Sequence, residues 1–247
     1  MSILESLQLS RLKVFIEMPF SPGKYQNKIL LSQFNIVISY PHIPRSAIDP
    51  WQWVPNDFLL RNEIMLHLRT RDFSDLRQIE QFIKQATNRL GKSHSVLLVF
   101  GDLYQPPNGY EVKPWEAISI AKKYFSKVGV VVNPTPVFRS VNDEMLTFRL
   151  KLDAAPDFIV TQCVYDLKST LKFFAIAGVG LNNICMNLGY WKKNSPSKKL
   201  GIANPDRLTR PPLELINVAL KKCFGIYICG NSPNLANGLQ QQLESQA

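Results

Sequence analysis

The sequence predicts one α/β domain spanning residues 1–247, a (β/α)8 TIM-type barrel with eight parallel strands. Eight short runs are almost continuously apolar, which is typical of parallel strands covered on both faces. Segments with helical periodicity alternate with them, and this alternation favours a closed barrel. Such a barrel needs about 250 residues. The main alternative, an open doubly wound sheet, usually carries a glycine-rich turn after its first strand, and neither GxGxxG nor a P-loop pattern is present.

The strands and helices can be placed from apolar runs and from helix start and stop signals. The expected strands are residues 13–19, 34–40, 63–69, 95–101, 128–133, 157–163, 183–189 and 225–230. The expected helices are residues 73–90, 114–125, 167–177, 212–223 and 232–243. Ser74 is the expected N-cap of the first helix, with Gly91 after its end, and proline opens the second and the fourth.

Composition and cysteine usage indicate a folded protein of a reducing compartment. The chain is 45% hydrophobic and 19% charged, which excludes wholesale disorder. None of the four cysteines forms a CxxC pair, so we expect buried free thiols and no metal site. The first residues lack the apolar core of a signal peptide, and no apolar run is long enough to span a bilayer. A cytoplasmic location, with no membrane partner, is therefore expected.

The charge is unevenly distributed along the chain. Between residues 168 and 222 there are ten Lys or Arg against two acids, whereas the whole chain has a net charge of +10. A solvated basic face is the simplest interpretation, and attraction of an anionic substrate or of nucleic acid are the alternatives. Because no nucleic-acid-binding motif accompanies the charge, a nucleic-acid partner is not expected.

Polar residues near the ends of the apolar runs are the candidate site residues, because strand C-termini line the ligand site in such barrels. Glu17 is a carboxylate late in a core strand; burial would make it a general acid, unless a Lys or Arg pairs with it. Asp102 directly follows a strand, so it is either a carboxylate of the site or a residue that caps a turn or helix. The Gln162 amide can donate and accept, as heterocycle recognition requires, or it could bond a neighbouring strand. His67 is either a base or a satisfied barrel histidine.

Several of these strand ends resemble one known family. The segment 154–166, A-A-P-D-F-I-V-T-Q-C-V-Y-D, resembles the sixth-strand signature of methylenetetrahydrofolate reductases. The stretches F-I-E-M-P-F, V-I-S-Y, M-L-H-L-R-T, V-F-G-D-L-Y, K-L-D-A and I-Y-I-C-G-N resemble other strand ends of that family in the same order. The resemblance thus extends over most of the expected barrel.

The resemblance implies a (β/α)8 oxidoreductase that binds FAD and reduces methylenetetrahydrofolate with NAD(P)H. It assigns Glu17 as the general acid and Asp102 to tuning the flavin and folate, so both would be catalytic. Substrate binding is assigned to Gln162, which would hydrogen-bond the pterin, and to Ser39, Tyr40 and His67. Cofactor binding is assigned to Asp102, Asn133 and Lys151. A homo-oligomer is a possible assembly.

The flavin-facing positions depart from the family pattern. Phe100 stands where the family has Arg, and Asn133, Thr135 and Val137 replace Tyr, Glu and His. Loss of charge-assisted contacts predicts that FAD is weakly bound or absent. Two alternatives to a reductase therefore stay open: a paralogue that binds folate or flavin without turnover, and another folate-dependent one-carbon enzyme on the same barrel.

Overall fold

The computed structural model describes residues 13–18, 35–39, 64–91, 94–100, 111–136, 140–164, 166–188 and 213–228. Within the first two ranges it describes the backbone and, among side chains, only that of Phe15. The expected helix at residues 232–243 lies outside this part of the chain, as do the segments that follow the first, second and last strands.

The described strands form a parallel sheet that runs in chain order. They are β1 Lys13–Met18, β2 Asn35–Ser39, β3 Ile64–Arg69, β4 Ser95–Val99, β5 Lys127–Val132, β6 Phe158–Thr161, β7 Ile184–Asn187 and β8 Gly225–Ile228. All neighbours pair in parallel, and backbone pairs between β1 and β8 close the order into a ring. The predicted α/β class with parallel strands is confirmed. The described helices lie between the six strands from β3 to β8, so a complete (β/α)8 repeat stays a prediction.

Five α-helices lie in the described part of the chain. They are α1 Leu76–Leu90, α2 Pro114–Ala121, α3 Val141–Asp153, α4 Leu167–Ala177 and α5 Leu213–Lys222. The expected stop after α4 is present, since Gly178 adopts the left-handed conformation with φ of 70°. The prediction of Ser74 as a cap was wrong: Asp75 is the N-cap of α1, and its carboxylate accepts the Gln78 N–H at 2.9 Å.

The helix α3 was not predicted from the sequence. Its N-cap is Ser140, whose hydroxyl accepts the Asp143 N–H at 3.0 Å. The apolar residues of α3 lie on both of its faces: Phe148 is fully buried, whereas Leu146 is 61% exposed. This distribution removes the periodicity that reveals an amphipathic helix.

Strand side chains divide into an inner and an outer layer. Side chains inside the barrel include Phe15, Met65, Leu97, Phe158, Val160, Cys185 and Tyr227. The alternate positions, such as Leu66, Val96 and Leu98, pack against the helices. At Gly129 the missing Cβ leaves the space that the Phe158 ring occupies. The described part of the interior is thus filled by side chains.

The cysteines behave as expected where they are described. Cys163 and Cys185 are buried free thiols, Cys223 is partly buried, and Cys229 lies outside the described residues. Burial raises the pKa of Cys223 to about 12, so this thiol is not a reactive nucleophile at neutral pH. Among the described residues, no group of His, Cys, Asp and Glu could hold a metal ion, and no helix is long and apolar enough to cross a membrane.

Candidate functional site

The candidate site is the edge of the sheet where the strands end, and part of it can be described. Glu17 lies in β1 with its backbone paired to Val37, and Ser39 is the last residue of β2, paired with His67. The side chains of Glu17 and Ser39, and the whole of Tyr40 and Asp102, lie outside the described part. Convergence of Glu17, Asp102 and Gln162 on one pocket therefore stays a prediction.

His67 lies near the end of β3, two residues after Met65, which packs inside the barrel. Because alternate strand residues share a face, His67 belongs to the inner face at the rim. Burial, with a smaller contribution from the Arg69 cation, lowers the pKa of His67 from 6.5 to about 4. The imidazole is therefore neutral near pH 7, with one nitrogen that donates and one that accepts. Such a ring can bind a heterocycle edge but does not supply a cation.

Gln162 follows β6 directly and is exposed. Its backbone N–H donates to the Val132 carbonyl at 2.7 Å, which fixes its position beside the end of β5. The side chain follows the alternation of Phe158 and Val160, whose side chains lie inside the barrel. The exposed Gln162 amide thus lies on the inner face of the sheet at the C-terminal end of β6, where it can contact a ligand.

Two polar contacts join the C-terminal end of β5 to α3. They involve Asn133 and Lys151, the two residues of this region that were predicted to bind the cofactor. The backbone N–H of Asn133 donates to the buried Glu144 carboxylate at 2.9 Å. The Lys151 ammonium, also buried, donates to the Val131 carbonyl at 2.7 Å. Lys151 shares a helix face with Phe148, which packs between the barrel wall and the helices. A role at flavin phosphates would require another N–H of the Lys151 ammonium to reach the ligand, since this group has three donors.

A cluster of charged residues, which was not identified from the sequence, lies at the ends of β3 and β4. The Arg71 guanidinium donates to the Glu111 carboxylate from Nε at 2.7 Å and also from a terminal nitrogen. The Lys113 ammonium donates to the other oxygen of the same carboxylate at 2.9 Å. Both cations also contact the Phe100 ring, with Arg71 Cζ 4.5 Å and Lys113 Nζ 4.3 Å from its centroid. We call these four residues the Arg71 cluster.

Among the described residues, the Arg71 and Lys113 cations share the one carboxylate of Glu111. Hydrogen bonds from Lys113 and then Arg71 lower the pKa of Glu111 below its ordinary value, so the carboxylate is ionised at neutral pH. Position 100, where the family resemblance expects an Arg, thus holds an aromatic ring in contact with two cations supplied by other segments. The only sequence signal for the cluster was the basic run R-T-R at the end of β3, since Glu111 lies 40 residues away.

The basic region between residues 168 and 222 is described only in its flanks. Lys168, Lys172, Lys221 and Lys222 are all exposed, and the six central Lys and Arg lie outside the described residues. The described flanks agree with the simple interpretation of a solvated basic face.

Comparisons with known proteins identify a fold relative but no family. No protein-family model matches the chain, and no curated protein matches it. Among solved structures, the chain is similar to an uncharacterized protein from Clostridium thermocellum that binds two copies of 5-methyl-5,6,7,8-tetrahydrofolic acid. The TM-score is 0.56, the identity is 13%, and 98% of each chain is covered. The class established here is therefore an α/β protein with a parallel, barrel-like sheet.

Proposed function

We propose that this protein binds a reduced folate at the C-terminal ends of its strands. The observation that carries the proposal is the likeness, over 98% of both chains, to a protein that binds 5-methyl-5,6,7,8-tetrahydrofolic acid. The resemblance of the strand-end motifs to a folate-dependent family supports the same ligand class independently. Ligands of α/β barrels bind at this end because the connecting loops gather there.

The described rim residues suit the chemistry of a reduced folate. Its pterin ring presents donors and acceptors along one edge, and the Gln162 amide and the neutral His67 imidazole can each donate and accept. Its glutamate tail is anionic, and the net charge of +10 on the chain favours the approach of an anion.

A reductase is the more specific form of this proposal. In it, NAD(P)H reduces methylenetetrahydrofolate to the methyl form, Glu17 protonates the folate, and Asp102 stabilises the developing charge. The family resemblance supports these roles. The whole chain would then be one cytoplasmic (β/α)8 domain, with helices also after β1, β2 and β8. FAD is the cofactor that the resemblance implies, and loss of family contacts around Phe100 and Asn133 argues for weak binding.

A binding protein without turnover is the competing proposal. The structural relative binds the methyl form. This observation supports folate binding itself, with or without a reaction.

The test is calorimetric titration of the protein with 5-methyltetrahydrofolate. We expect saturable binding, and we expect Gln162→Leu to weaken it about tenfold, because one amide hydrogen bond pair is lost. The matched control is Gln85→Leu, the same change at an exposed position of α1. Absence of binding to the wild-type protein would refute the proposal.

The reductase is tested separately by NAD(P)H oxidation with methylenetetrahydrofolate, with and without added FAD. Folate-dependent oxidation supports the enzyme. Binding without oxidation under either condition supports the paralogue that binds folate and does not turn it over.

A further inference from the structure

Thr70 connects the two described ends of the segment that joins β4 to α2. It follows β3 directly, and its side chain is fully buried. Its hydroxyl lies 2.7 Å from the carbonyl oxygen of Val112 and 3.3 Å from that of Val99. Val99 ends β4, and Val112 lies two residues before α2. One buried hydroxyl therefore contacts the chain both where it leaves the strand and where it approaches the helix.

Arg71, the next residue, also contacts both ends of this segment, through its guanidinium group. Its guanidinium contacts the Phe100 ring, immediately after β4, and holds the Glu111 carboxylate, immediately before Val112. The guanidinium and the carboxylate are 11% and 21% exposed, so water screens their attraction only in part. By contrast, the Lys123–Glu80 pair is 3.7 Å apart and 61% and 38% exposed, which is the geometry of a weak surface pair.

We propose that Thr70 and Arg71 are positioning residues of the folate site. They set the separation between the end of β4 and the start of α2, and they do so from the end of β3, three and four residues after His67. The C-terminal ends of β3 and β4 are thereby fixed relative to each other. This inference rests on the proposed folate binding, and it adds two residues that act on ligand affinity through the positions of the β4 end and the α2 start.

The first test is hydrogen–deuterium exchange, followed by mass spectrometry of peptides covering residues 94–121. In Thr70→Val the shape is kept and the donor is lost; in Arg71→Met the charged donors are lost. We expect exchange in these peptides to accelerate about fivefold in Thr70→Val and about tenfold or more in Arg71→Met, since a neutral hydrogen bond contributes about 1 kcal/mol and one between charged groups about 1.5–3 kcal/mol. Exchange in α4 should be unchanged, and the surface control Lys123→Met should match the wild type throughout. Wild-type exchange in both variants overturns the proposal.

The second test separates positioning from simple stabilisation. Affinity for 5-methyltetrahydrofolate is measured well below the unfolding temperature, where each variant is fully folded. A merely structural role lowers the unfolding temperature and leaves this affinity unchanged, and that result overturns the proposal. We expect about tenfold weaker binding in Arg71→Met, with partial recovery in Arg71→Lys, which keeps the cation but not the two-pronged contact.

Glu111→Gln provides a second variant in case Arg71→Met does not fold. It weakens the contact between Arg71 and residue 111, and the side chain of Glu111 is the more exposed of the two. The effect of Arg71→Met and Glu111→Gln together should then be smaller than the sum of their separate effects, since the two residues share one contact. Additive effects overturn the pairing. If the wild-type protein binds no folate, the proposed function fails, and the exchange results on the same variants still decide whether Thr70 and Arg71 hold the ends of the segment.

Discussion

The depressed pKa of His67 predicts a specific loss of stability in mild acid. In the unfolded chain His67 takes up a proton below pH 6.5, whereas in the folded protein it does so only near pH 4. Above pH 6.5 His67 is neutral in both states and its titration does not affect the free energy of unfolding. As the pH falls from 6.5 to about 4, the unfolded state binds the proton first, so the free energy of unfolding decreases. Since one pKa unit corresponds to about 1.4 kcal/mol, the shift of the His67 pKa from 6.5 to about 4 corresponds to a loss of at most about 3.5 kcal/mol, of which about 3 kcal/mol is lost by pH 4.

The measurement is urea unfolding at several pH values for the wild-type protein and for His67→Gln, which cannot titrate. Carboxylates with lowered pKa values, such as Glu111 and Asp166, also affect stability in acid, but they are common to both proteins and cancel in the difference. The wild type should lose up to about 3 kcal/mol relative to the variant between pH 7 and 4. A difference that does not change with pH would show that His67 is not held neutral by the fold. A wild type that gains stability in acid would show that a partner of opposite charge outweighs Arg69.

Three further predictions concern the barrel interior and the proposed chemistry. Gly129→Ala should destabilise the protein by about 1–3 kcal/mol in thermal unfolding, because the new Cβ would lie 2.7 Å from Cδ2 of Phe158 and closer to two other ring carbons; an unchanged melting temperature would mean that the ring moves aside freely. Glu17→Gln should abolish any folate-dependent NAD(P)H oxidation while keeping folate binding, and near-wild-type turnover would rule out an acid role. The purified protein should carry little FAD, since each lost charge-assisted contact weakens binding by about 1.5–3 kcal/mol; stoichiometric flavin absorbance after gel filtration would show that other residues replace the missing contacts.

The positions of the strands were predictable because burial on both faces is visible locally. A parallel strand covered by helices is apolar at nearly every position, so the run at residues 95–101 identified β4 without knowledge of its neighbours. The same reasoning failed for α3, where Leu146 and Leu150 are exposed and mask the helical period. It also failed for the cap of α1, because Ser74 and Asp75 are both good caps and only the backbone conformation decides between them.

By itself, then, the sequence determined the α/β class, the order and direction of the strands, and the polar residues that follow them. Only the tertiary structure decided how those residues are used. It placed Lys151 against the Val131 carbonyl, left His67 largely desolvated beside Arg69, and joined Arg71 to Glu111 across 40 residues of chain. The physical reason is that apolar periodicity depends on a residue's own strand or helix. A polar contact or a shifted pKa depends on which distant segments the closed arrangement of strands brings to the same rim.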